Sequence, residues 1–373
     1  MKPGASWKAA GWWPEMTKPS AVTGLRARPV LVTGGAGFIG CNLVDRLAGA
    51  GHDVVVYDVL ARPGVEANLD WLRRRHPRRV TAVIADLLDR PRLEEAAAQA
   101  GAVFHLAAQV AVTTSMEEPE RDFDINLRGT MFLLEALRRR ADKPALVFAS
   151  TNKVYGNLAD IALDDRDGAW LPTDPALRAQ GIAEDRPLQF YTPYGCSKGA
   201  ADQYVLDYAR SFGLPACVLR MSCIYGPRQM GTEDQGWLAH FLFRVAAGQG
   251  VSIYGDGRQV RDVLYVDDAV DAYMAAWERI DAVSGQAFNL GGGPDNAVTL
   301  RQVLAEIGRL VGREPTLRFD GWRPGDQRYF VADTGRARNA LGLAPARGWR
   351  DGLARLAAWA EKERAPLPAL AGN

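Results

Sequence analysis

The stretch VLVTGGAGFIG, residues 30–40, decides the reading of this 373-residue chain. Val30–Thr33 is a short apolar run that predicts a strand. Gly34, Gly37 and Gly40 follow at once, and a helix pattern opens at Phe38 and Ile39 and runs to about Ala50. Glycines in that place let backbone approach a pyrophosphate and let a helix pack closely on a strand. The helix N-terminus adds free N–H groups and positive dipole. The next strand, DVVVY at 53–57, ends at Asp58, 18 residues beyond Gly40. A carboxylate there accepts from adenosine ribose hydroxyls and repels a 2′-phosphate, so NAD is expected rather than NADP. Arg62 nearby weakens that preference slightly.

Outward from this unit the chain alternates strand and helix. Val80–Ala85, Ala102–Leu106, Ala145–Ala149 and Ala216–Arg220 read as further strands, apolar on both faces, as parallel strands covered on both sides are. The fold class expected is therefore α/β, a doubly wound parallel (Rossmann) sheet with a second, smaller α/β substrate-binding domain. Residues 29–225 form the dinucleotide-binding domain and 226–373 mainly the second, with segments interleaved. Helices are expected near Gly236–Ala247, Asp267–Glu278 and Leu300–Val311, and around Asp122–Arg140 and Gly199–Phe212. Gly156 to Phe190 reads as a long loop, either a lid or a plain insertion. Residues 1–28, with Trp7, Trp12 and Trp13, read as a disordered tail, with Met16 as an alternative start. A partner-binding arm is the sharper reading of that tail.

Composition bounds the function. Lys and Arg number 45 against 44 Asp and Glu, a net charge of +1, which argues against a nucleic-acid binder. No apolar run reaches membrane-spanning length, so no membrane partner is expected. The four cysteines, Cys41, Cys196, Cys217 and Cys223, show no paired spacing. They point to a reducing, cytoplasmic compartment and to no metal site; all but Cys223 read as buried small residues. His105 reads as a packed structural residue, and His52, His76 and His240 as exposed or peripheral.

The chemistry is carried by YGCSK, residues 194–198. Tyr194 and Lys198 are four apart at the opening of a helix and share one face. An ammonium beside a phenol favours the phenolate, so Tyr194 can serve as a general base. Thr151, at the end of the fifth strand, would orient the same substrate hydroxyl. Asp86 and HLAAQVAV (105–112) close the third and fourth strands, at the edge where open α/β sheets bind ligands.

These residues together resemble the extended short-chain dehydrogenase/reductases, in their branch of NAD-dependent nucleotide-sugar epimerases and dehydratases, over roughly residues 30–362. STNKVYG (150–156), YGPRQ (225–229), GRQVRDVLYVDD (257–268) and RPGDQRYFVAD (323–333) are similar to the CDP-sugar 2-epimerases of that branch. The resemblance implies that Gly34, Gly37, Phe38 and Ile39 hold the pyrophosphate and Asp58 the ribose. It places Asp86 and Leu87 on adenine, and Leu106, Ala107, Ala108 and Gln109 along the dinucleotide channel. Met221 falls near the nicotinamide. Thr113, Asn152, Cys223 and Gln229 fall on the substrate, with Arg261, Arg323 and Asp326 gripping its diphosphate and ribose.

The implied activity is an isomerase that inverts C2 of a CDP-sugar by transient oxidation to a keto sugar and hydride return. A 4-epimerase acting on a UDP- or other nucleotide sugar stays open. Dehydratases and decarboxylases of the branch carry carboxylates after the threonine, where this chain has Asn152 and Lys153. A non-catalytic NAD-binding sensor is the reading of another class, although Tyr194, Lys198 and Thr151 are all retained. The resemblance also implies a homodimer through the helices at 122–140 and 198–211.

Overall fold

The computed structural model describes residues 28–363; the expected tail, apart from Arg28, and the Met16 start lie outside the described residues. Seven strands form one parallel sheet: β1 (Val30–Thr33), β2 (Val54–Asp58), β3 (Val80–Ile84), β4 (Ala102–His105), β5 (Ala145–Thr151), β8 (Ala216–Met221) and β12 (Ala287–Leu290). Their spatial order is β12-β8-β5-β4-β1-β2-β3. The order reverses between β1 and β4, which pair in register from Val30↔Ala102 to Thr33↔His105. That reversal opens a crevice at the strands' carboxyl ends, where such sheets bind ligands.

Alternate residues of each strand feed two separate cores. Val32, Val56, Phe104, Val147 and Leu219 lie on one face, beneath α1 (Phe38–Gly49), α2 (Val65–Arg75) and α10 (Val266–Glu278). Leu31, Tyr57, Val103, Leu146, Phe148 and Val218 lie on the other, beneath α3 (Arg90–Gln99), α6 (Gly129–Arg138) and α8 (Thr192–Phe212). Burial on both faces explains why these strands read as continuous apolar runs.

Between β4 and α6 lie α4 (Val112–Glu117) and α5 (Pro119–Phe123), then a π-helical turn over Asp124–Arg128. The single helix expected over Asp122–Arg140 is thus broken by an extra residue per turn, a device that clusters at functional sites.

The loop expected over Gly156–Phe190 is not structureless. It holds an antiparallel hairpin, β6 (Leu163–Arg166) and β7 (Ala169–Pro172), and a short helix α7 (Pro175–Gln180). Asp167 and Gly168 make its turn with φ of 53° and 77°. Asp-Gly is the sequence signal for such a turn, overlooked among the acidic residues and prolines.

After β8 the chain builds a second core from α9 (Trp237–Ala246), α12 (Leu300–Val311) and α14 (Trp349–Lys362). They pack on β9 (Cys223–Tyr225), β10 (Val251–Tyr254) and β11 (Val260–Tyr265). β13 (Ala297–Thr299) and β15 (Tyr329–Phe330) flank β11; β14 (Leu317–Asp320) pairs with β10; α11 (Ile280–Val283) and α13 (Gly335–Leu341) complete the order. β12 leaves this lobe to join the large sheet beside β8. Among the described residues no helix is long and apolar enough to cross a membrane.

Candidate active site

One cleft of about 1030 Å³ runs across the carboxyl edge of the sheet. That is at the upper end for ligand sites, roughly 300–1,000 Å³. Every site residue expected from sequence lines it except Lys198.

At the cleft's floor the glycine turn is forced by close approach. Gly34 has φ +70°, and a Cβ there would sit 2.7 Å from the backbone nitrogen of Ala107. A Cβ on Gly40 would sit 2.1 Å from the carbonyl oxygen of Gly34. No side chain caps the N-terminus of α1, so its first N–H groups are left for a ligand. Asp58 accepts from the backbone N–H groups of Ala36 (3.0 Å) and Leu60 (2.9 Å), which aims its carboxylate along the cleft. Burial raises its pKa, against those hydrogen bonds. Uncapped N–H groups, a turn without Cβ atoms and an anchored carboxylate at the second strand's end fit NAD. Asp86 is held the same way, accepting from Leu88 (2.9 Å), and Leu87 is buried beside it.

Tyr194 and Lys198 sit one turn apart on α8, and both are buried. The Lys198 Nζ donates to the carbonyl of Ala149 (2.7 Å) and lies 4.3 Å over the Phe148 ring. Burial pushes the ammonium down to about 8, although Asp202 and Asp122 oppose it. Burial likewise pushes the Tyr194 phenol up to about 12, and a hydrogen bond with Thr151 acts the other way. This departs from the sequence expectation. Lys198 is anchored to β5 and is not among the groups that lower the Tyr194 pKa, so the protein alone holds a neutral phenol. Thr151 also accepts from the Lys153 N–H (3.2 Å), which turns the chain at the strand end.

Behind this pair is a polar lattice that sequence reasoning missed. Ser197 donates to Asp122; Asn126 donates to Asp122 (3.1 Å) and accepts from the Gln109 N–H (2.9 Å). The π turn delivers Asn126, so no helical periodicity could have shown it. Ser115 accepts from the Tyr194 N–H (3.2 Å). His105 bridges Thr33 (2.6 Å) and Thr130 (3.0 Å), and burial pushes it down to about 3; it is a neutral structural group, as read.

The other half of the cleft is lined by both lobes. Thr113, Gln229 and Gln259 line the cleft, and among the described residues the buried Thr113 Oγ1, Gln229 Oε1 and Gln259 Oε1 have no hydrogen-bond partner. Gln229 and Gln259 each donate Nε2 to a backbone carbonyl, of Ile224 (3.2 Å) and Tyr254 (2.8 Å), so only the acceptor oxygen of each amide is left over. Gln259 was not expected. Arg261 and Asp326, expected at the diphosphate and the ribose, bind each other at 2.7 Å, and Arg261 also donates to the carbonyls of Val260 and Gln327. Sixty-five residues separate them, and only the pairing of β11 with β15 brings them together. Arg323 lies 3.7 Å over the Tyr254 ring and pairs with Asp234 at 3.2 Å. Lys153 was set aside as a mismatch to other chemistries, yet it reaches the same subsite. Its Nζ donates to the Gly325 carbonyl (3.2 Å) and lies 3.9 Å from Asp326. Cys223 accepts from Trp237 Nε1 (3.5 Å), and burial raises its thiol pKa. Asn152 donates to the Gln327 side chain (3.3 Å), and Met221 lines the cleft beside Tyr273.

Two peripheral readings are corrected. His240 is buried in α9, because the second core covers both faces of that helix. Cys196 is exposed, because its position on α8 turns away from the sheet.

Comparison with known proteins agrees with this geometry. The sequence matches the NAD dependent epimerase/dehydratase family over residues 30–291. It is 37% identical over 348 residues to the CDP-paratose 2-epimerase of Salmonella typhi, covering 88% of this chain and 98% of that one. Two UDP-glucose 4-epimerase structures superpose on it. That of Thermotoga maritima with UDP-glucose has a TM-score of 0.77 at 31% identity, covering 90% of this chain and 99% of the other. That of Thermus thermophilus with NAD has 0.73 at 32%, covering 89% and 98%. The chain belongs to the NAD dependent epimerase/dehydratase family.

Proposed function

We propose that this NAD-dependent nucleotide-sugar epimerase inverts C2 of a CDP-sugar, with Tyr194 as proton acceptor and donor. The observation that carries the reaction class is the convergence of Thr151, Tyr194 and the α1 N-terminus on one cleft with no carboxylate directly after Thr151. Elimination of water needs an added acid and base; Asn152 and Lys153 supply neither a carboxylate acid nor a carboxylate base. The likeness to the 2-epimerase supports the choice of carbon and nucleotide.

When bound, NAD supplies a reversible hydride acceptor. The glycine turn, Asp58 and Asp86 hold it, and Gln109, fixed through Asn126, orients the channel beside it. Thr151 hydrogen-bonds the sugar hydroxyl that reacts. Tyr194 takes the hydroxyl proton as hydrogen leaves the carbon and returns it when hydrogen comes back to the other face. A phenol at about 12 is a poor base, so added positive charge in the closed site is required to lower it. Lys198, Tyr194's neighbour on α8, is the protein's own contribution once the Ala149 contact is exchanged. Arg261, Arg323 and Lys153 hold the diphosphate, and Asp326 moves from Arg261 to a ribose hydroxyl. The chain acts as a homodimer through α5, α6 and α8, where Phe123, Tyr204 and Phe212 are exposed.

The test is incubation with CDP-, UDP- and GDP-sugars, followed by NMR of the sugar protons. Inversion at C2 of a CDP-sugar is expected. Inversion at C4 of a UDP-sugar would replace this reading with the 4-epimerase.

A further inference from the structure

The inserted hairpin β6–β7 lines no part of the cleft, yet it is fastened to two segments that do. Trp170 on β7 donates its backbone N–H to the carbonyl of Arg258 (3.0 Å) and its Nε1 to Asp256 Oδ2 (2.8 Å). Arg258 in turn donates to Asp165 on β6 at 2.5 Å. This turn, 255–258, joins Tyr254 to Gln259, both cleft residues. On its other side Trp170 faces the Arg328 guanidinium, whose Cζ lies 5.5 Å from the Trp170 ring and 5.3 Å from the Trp322 ring. Trp322 packs against Gly255, where a Cβ would meet the indole at 2.7 Å. It directly precedes Arg323, and the Arg323–Asp326 segment lines the cleft.

From this arrangement we infer that the hairpin is a clasp for the nucleotide end of the site, and that Trp170, Arg328 and Trp322 are positioning residues for substrate binding. Arg323 and Asp326 sit on a loop with glycines at 321 and 325, one before Arg323 and one between the two, so little in the loop itself fixes them. A guanidinium between two indoles, with a hydrogen bond from one indole to Asp256, ties that loop to the 255–258 turn. Arg323 stacks on Tyr254 across the same junction. The clasp therefore holds both walls of the nucleotide subsite in one register. Tyr194, Thr151 and the glycine turn rest on other elements, so its loss weakens nucleotide binding and spares the chemical step.

The inference rests on the nucleotide-sugar reading, and the test separates the two. Full-length, NAD-loaded wild type, Trp170→Ala and Trp170→Phe are titrated calorimetrically with CDP, UDP and GDP, and their kcat and KM are measured on the accepted sugar nucleotide. Trp170→Ala is expected to weaken nucleotide binding and raise KM about tenfold, with kcat and bound NAD within twofold of wild type. Trp170→Phe keeps a ring against Arg328 and is expected to recover most of the affinity. Should Trp170→Ala fail to fold, Arg328→Ala is read in the same way. Unchanged affinity and KM, or a fall in kcat at constant KM, overturns the clasp. Failure of the wild type to bind any of the three nucleotides overturns the nucleotide-sugar reading and the clasp with it.

Discussion

Replacing Lys198 by methionine, similar in length and without charge, should stabilise the NAD-free protein at neutral pH while it stops turnover. The ammonium is buried and held at about 8, against an ordinary value of 10.5. At about 1.4 kcal/mol per pKa unit, keeping it charged costs roughly 3 kcal/mol of folding free energy. Losing its hydrogen bond to the Ala149 carbonyl returns about 1 kcal/mol, so a net gain of about 2 kcal/mol is expected at pH 7. The pH dependence fixes the cause. Between pH 8 and 10.5 the unfolded chain binds the proton and the folded protein does not, so this group makes wild type more stable as pH rises. Below pH 8 both states are protonated and the full cost is present. The stability difference between variant and wild type should therefore be largest at pH 7 and shrink steadily above pH 8. Urea unfolding at pH 7, 8.5 and 9.5 measures it, and taking the difference cancels the buried tyrosines common to both proteins. A variant less stable than wild type at pH 7, or a difference independent of pH, would refute the reasoning.

Other expectations follow from single contacts. Tyr194→Phe removes only the phenolic oxygen, so turnover should vanish with NAD still bound; measurable epimerisation would contradict the proton role. Asp202 accepts from Arg220 Nε and Nη2 at 2.9 Å and from Ser150 at 2.7 Å in full burial, so Asp202→Asn should lose about 3–5 kcal/mol in urea unfolding, whereas a loss below about 1 kcal/mol would show the pair to be dispensable. Gly40→Ala drives a methyl into the Gly34 carbonyl and should abolish NAD retention, read by absorbance of the supernatant after denaturation.

Much of this was written locally in the chain, and what was not depended on distant contacts. Val30–Thr33 gave a strand with the observed bounds, and the glycines after it could be placed because their spacing, the strand before and the helix after all serve one turn. Tyr194 and Lys198 were legible because helical spacing alone sets their common face. What they do electrostatically was not, since burial against β5, which no spacing reveals, decides where the Lys198 ammonium points. Arg261 and Asp326 were legible as polar residues near the substrate but not as partners, because their contact depends on β11 meeting β15. Asn126 depends on a π turn, and π turns have no sequence period. The hairpin at 163–172 is a different case. Its Asp-Gly turn was readable, but its strands are four residues each and half-exposed, so no apolar alternation drew attention to them.

The central claim is that the hydrogen leaving the sugar carbon returns to that same carbon from the other side, with Tyr194 moving only the hydroxyl proton. Substrate deuterated at the reacting carbon, turned over in ordinary water and followed by NMR, tests it directly. The account predicts an inverted product that keeps its deuterium at that carbon. Inversion with the deuterium exchanged for solvent hydrogen would contradict it.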